Sequence, residues 1–96
     1  MVHLRIVVPS DLADKVFALL CDTPAVINVV RFHDVAHNPK GDLIQCDVAR
    51  ENASLVVADL KDLQVPRVGS IAIELIDSSI SDRARSASRA QSEIEL

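Results

Sequence analysis

The sequence predicts an α+β fold in the order β-α-β-β-α-β, with both helices on one face of a four-stranded antiparallel sheet. Three observations carry this expectation. The hydrophobic period alternates between two and about 3.6 along the chain, as strands and amphipathic helices require. Breaks containing Pro9, Pro24, Pro39-Lys40-Gly41 and Pro66 separate the periodic segments. The 96 residues are 49% hydrophobic, enough for one aliphatic core without metal or disulfide staples.

Val2, Leu4, Ile6 and Val8 alternate with His3, Arg5 and Val7, so residues 2–8 make a strand with one wholly apolar side. The rest of the chain is expected to pack around it. Ser10 is the expected N-cap of a helix over 10–22, with Asp11 and Asp14 in its first turn, where the helix dipole favours anions. Leu12, Val16, Leu19 and Leu20 give that helix its apolar face. Thr23-Pro24 disfavours continuation.

Residues 25–33 are rich in β-branched side chains and predict the second strand, with Ile27 and Val29 facing the core and Asn28 outward. Asn38-Pro39-Lys40-Gly41 reads as a turn within 34–41. The third strand, 42–49, sets Ile44, Cys46 and Val48 against Leu43, Gln45 and Asp47. A second helix over 52–64 buries Ala53, Val56, Val57, Leu60 and Leu63. A connector then leads to the last strand, 70–77, with Ile71, Ile73 and Leu75 on one face. Residues 1–77 thus form the domain. Residues 78–96, rich in Ser, Arg, Ala and Glu, read as a polar tail or linker that adds little to the fold.

This order is that of ferredoxin-like sandwiches, in which right-handed crossovers put the first and third strands in the centre. The sheet face opposite the helices then carries His3, Arg5, Val7, Leu43, Gln45, Asp47, Ala72, Glu74 and Ile76. Aliphatics ringed by charge suit a homodimer or higher homo-oligomer, formed through that face or by pairing of an edge strand. It is the expected partner or ligand face, and Arg5 with Asp47 or Glu74 is its expected charged cluster.

A net charge of −4 and a pI near 5.2 argue against a phosphate-binding surface. RNA recognition on such a sheet needs stacking aromatics, and the corresponding positions hold His3, Arg5, Gln45 and Asp47. No nucleic-acid partner is expected. Pro9-Ser10-Asp11 places an acid where an acylphosphatase would hold its anion-binding loop. His3, His33 and His37 with Asp34 lack metal-site spacing, since His33 and His37 are expected to straddle a strand end and a turn. Cys21 and Cys46 fit neither a zinc motif nor a disulfide framework, and both read as buried thiols. No cofactor and no enzymatic activity follow from these residues. No apolar run approaches the roughly 20 residues that span a bilayer.

Four segments resemble one family: Met1-Val-His-Leu-Arg-Ile-Val-Val-Pro-Ser10, Ile27-Asn-Val-Val30, Gly41-Asp-Leu-Ile-Gln-Cys-Asp-Val-Ala-Arg-Glu51 and Gly69-Ser-Ile-Ala72. The family is the actinobacterial branch of bacterial uncharacterised hydrophobic membrane proteins carrying domain of unknown function 389. The resemblance spans about residues 1–82. It implies a cytoplasmic, non-enzymatic regulatory or assembly domain that precedes transmembrane helices in a cell-membrane protein of unknown function, with transport as the role the family suggests. It brings no catalytic residues. The order of elements and the Asn-Val-Val run are also similar to ACT-like domains, so the rival reading is a free-standing domain binding a small molecule. The chain departs from ACT-like domains at Pro9-Ser10-Asp11, where their ligand loop usually has a glycine.

Overall fold

The computed structural model of the protein describes residues 1–76, 83 and 85–87. At its centre β1 (Val2–Val8) pairs antiparallel with both β3 (Lys40–Val48) and β4 (Ser70–Leu75), and β3 pairs antiparallel with β2 (Val26–His37). The sheet order is β2-β3-β1-β4, so the first and third strands are adjacent and central, as the sequence predicts. Val2, Leu4, Ile6 and Val8 of β1 join Ile44, Cys46 and Val48 of β3 in one buried cluster. Onto it pack Ala13, Val16 and Leu20 of α1 (Ser10–Asp22) and Val56 and Leu60 of α2 (Ala53–Asp62). Burying each Leu or Ile side chain contributes about 1.5–3 kcal/mol, so this layer is the main source of stability. The fold is the ferredoxin-like α+β sandwich.

Several local expectations are corrected. Asn28 adopts a left-handed conformation with φ 57° and bulges β2, since the register shifts between Ile27 and Val30. The bulge changes the phase of the strand. Val26 and Val29 therefore pack on the core, whereas Ile27 opposite Asp47 turns to the other face. Ser10 does not cap α1. Pro9 holds that position, its carbonyl accepting from the Leu12 and Ala13 N–H groups at 3.0 and 3.1 Å.

Cys21 is exposed, because α1 buries the stripe Ala13, Val16 and Leu20 instead. Cys46 is buried between Ile44 and Val48 as expected, and burial, reinforced by the charge of Asp47, pushes its thiol pKa up to about 12. The connector after α2 contains a short helix, α3 (Val65–Val68), entered through a left-handed Gln64. β2 and β3 reach further into the hairpin than predicted, leaving only a tight turn at Asn38-Pro39. Most of the tail, including Ile80 and Ile94, lies outside the described residues. Residues 85–87 are helical, and Ala87 is buried against Ala25 and Ala49, so part of this segment does pack on the domain.

Candidate functional site

The strand pleat sends His3, Arg5 and Val7 to the face opposite the helices. Register places Asp47, Gln45 and Leu43 beside them on β3, and Glu74, Ala72 and Ser70 beside them on β4. The sequence-predicted face is thus assembled. Ile76 lies just past β4, where its N–H donates to the Met1 carbonyl at 3.0 Å.

The charged cluster differs from the expected one. Asp47 binds His3 (Nδ1 to Oδ1, 2.8 Å) and accepts from the Asn28 amide (Nδ2 to Oδ2, 2.8 Å), so both carboxylate oxygens are engaged. The bulge at Asn28 is what brings that amide within reach. Arg5 faces Gln45 and Ala72 instead, and neither Arg5 nor Glu74 enters an ion pair among the described residues. His3, Arg5, Gln45, Ala72, Ile73 and Glu74 surround a shallow hollow of about 480 Å³. Val7, Leu43, Ala72 and Ile76, expected as exposed aliphatics, are half-buried. The more exposed apolar side chains lie on the edge strands, at Val30, Phe32 and Val35 of β2 and at Ile73 and Leu75 of β4.

The β4 pair has a clear cause. Ile73 and Leu75 stand opposite Leu4 and Val2, hence on the helix side of the sheet, yet remain 58% and 67% exposed. The helices cover β1 and β3 but, on the outer strand, leave Ile73 and Leu75 uncovered. Two cavities of about 330 and 360 Å³ lie between α2 and β4, sharing Val57, Lys61 and Ile73. Ile71, Ile73 and Leu75 lie on the predicted face, but only Ile71 packs on the core.

A second polar constellation escaped the sequence reading. Asp42 is 1% exposed and opposite Val8. Its Oδ1 accepts from the Ser10 hydroxyl (3.0 Å) and the Asp34 N–H (2.8 Å), and its Oδ2 from Arg31 Nε and Nη2 (3.1 and 3.0 Å). The Asp34 N–H, followed by Arg31 and Ser10, holds the Asp42 carboxyl below its ordinary pKa against an opposing burial effect. Arg31 also donates to the exposed Asp14 at 2.8 Å and lies 5.8 Å from the centroid of the Phe17 ring. These contacts tie the start of α1 and the second irregularity of β2, where Asp34 has φ 52°, to β3. Both carboxylate oxygens are occupied by donors, so the cluster is a clasp. Phase is the signal that marks it in the sequence: Asp42 precedes Ile44, Cys46 and Val48 at intervals of two.

His33 and His37 both lie on β2 rather than across a turn, and His33 Nδ1 is 3.5 Å from Asp42 Oδ2. Among the described residues no group of three or more His, Cys, Asp or Glu is placed to hold a metal ion, and no helix is long and apolar enough to cross a membrane. Comparison of the chain with protein-family models, with curated proteins and with solved structures returned no match.

Proposed function

We propose that this chain is a non-enzymatic regulatory or assembly domain that works by self-association, carried at the cytoplasmic face of a multi-pass bacterial membrane protein. The observation that supports self-association is the exposure of Ile73 and Leu75 beside an apolar groove, on a strand edge that stays unpaired among the described residues. The membrane parent rests on the resemblance of the four sequence segments. Tethering to a membrane raises the effective concentration of such domains and lets a weak contact operate. Sedimentation equilibrium of residues 1–96 at micromolar concentration is expected to give a species heavier than one 10.4 kDa chain. A single-chain mass at every concentration up to the millimolar range, about the effective concentration a short tether supplies, would remove the self-association part of this reading.

A further inference from the structure

We infer that two copies of this chain join through their β4 strands, antiparallel about a twofold axis at Ile73, giving a continuous sheet of order β2-β3-β1-β4-β4-β1-β3-β2. The inference rests on the assembly reading above and names its surface.

The two edges of the sheet are unlike. β2 is broken twice, with left-handed residues at Asn28 and Asp34 and register shifts at both places. Such bulges twist an edge away from further pairing. β4 keeps unbroken register with β1 from Leu75 opposite Val2 to Ser70 opposite Val7, and carries one charge, Glu74. Its backbone direction follows from one bond: the Ile76 N–H, just past β4, donates to the carbonyl of Met1, just ahead of β1. By the two-residue period, Ser70, Ala72 and Glu74 also direct their amides to β1, whereas Ile71, Ile73 and Leu75 direct theirs outward.

Outward residues must then pair with outward residues, which places the axis at Ala72, Ile73 or Glu74. At Glu74 the two carboxylates would face each other, an unfavourable cross-strand pair. At Ala72, Leu75 would face the partner's Gly69 and lose its apolar neighbour. At Ile73, Leu75 meets the partner's Ile71, where the 360 Å³ cavity beside Val57 and Pro66 receives it. On the other face, Ala72 meets the partner's Glu74. Arg5 lies in that same row, directly across Ala72, whose methyl group leaves the guanidinium a clear path. Two Arg5–Glu74 pairs form per dimer, using the two charges of this face that lack ion pairs within the described residues.

The test is sedimentation of the full chain and four variants. R5E and E74R should each weaken association by about tenfold or more, since two attractive pairs become repulsive. Mixed in equal amounts they should associate as strongly as the unaltered chain, because the heterodimer restores both attractive pairs, one in its original sense and one with the charges exchanged. Ile73→Lys should abolish association, and Val7→Lys on the half-buried centre of the sheet face should leave it intact. If the unaltered chain is monomeric, the assembly reading fails and this inference with it. If it associates and Ile73→Lys does too, or only Val7→Lys dissociates, the β4 contact is overturned and assembly stands. Charge variants that associate normally, or no rescue on mixing, overturn the register.

Discussion

Replacing Asp42 with alanine is expected to destabilise the protein by about 3–5 kcal/mol in chemical denaturation. The carboxylate is buried and answers four donors from three residues, Ser10 at the start of α1 and Arg31 and Asp34 on β2. Its removal leaves the Asp34 N–H, the Ser10 hydroxyl and two nitrogens of Arg31 without acceptors, and each buried donor left unmet is costly. A domain of this size has about 5–15 kcal/mol to lose, so Asp42→Ala is expected at the margin of folding. Ser10→Ala, which removes one donor and leaves the carboxylate satisfied, should cost about 1 kcal/mol.

The same clasp sets an acid limb. Asp42 ionises below its ordinary pKa in the folded chain, chiefly because the Asp34 N–H favours the carboxylate. An unfolded Asp titrates near about 3.9. Above that value the contribution to stability is fully present. As pH falls from there through the lower folded pKa, the unfolded chain binds the extra proton and stability declines. Asp42→Asn should lack this part of the pH dependence, which a denaturation series between neutral and strongly acid pH would reveal.

Gly69→Ala is expected to cost on the order of 3 kcal/mol, at the upper end of overpacking effects. A Cβ there would overlap the Val7 carbonyl oxygen, and because the obstacle is backbone, no side chain can move aside. Gly41→Ala meets the Val8 carbonyl in the same way and adds strain from φ 156°. The chain's two glycines thus admit two segments against the end of β1, where the helix-side and hairpin-side connections converge. Equilibrium unfolding of both variants checks this, and a loss under about 0.5 kcal/mol in either would contradict the close approach.

The architecture was legible because period and break agree along most of the chain. β1, α1, the core face of β3 and the stripe of α2 follow directly from spacing. The phase of β2 was not legible. Its run of Val and Ile supports either face, and Asn28 reads equally as an outward strand residue or a bulge. Only the pairing with β3 decides. The open face was legible as a set of residues, because alternation fixes which side each occupies. The partner of Asp47 was not, since the bulge that brings Asn28 to it also determines which charges remain free. The exposure of Ile73 and Leu75 was equally hidden: alternation gives their side of the sheet, whereas coverage depends on how far two helices extend across four strands. Asp42 could have been marked from its phase, but beside Gly41 it reads as a turn residue.

Amide hydrogen exchange along β4 tests the assembly edge most directly. In a sample that sediments as a dimer, the amides of Ile71, Ile73 and Leu75 are expected to be protected and to lose that protection on dilution. Those of Ala72 and Glu74, bonded to β1 within one chain, should stay protected throughout. Fast exchange at Ile71, Ile73 and Leu75 in a fully associated sample would contradict the account, because the outer edge of β4 would then be open to water in the dimer.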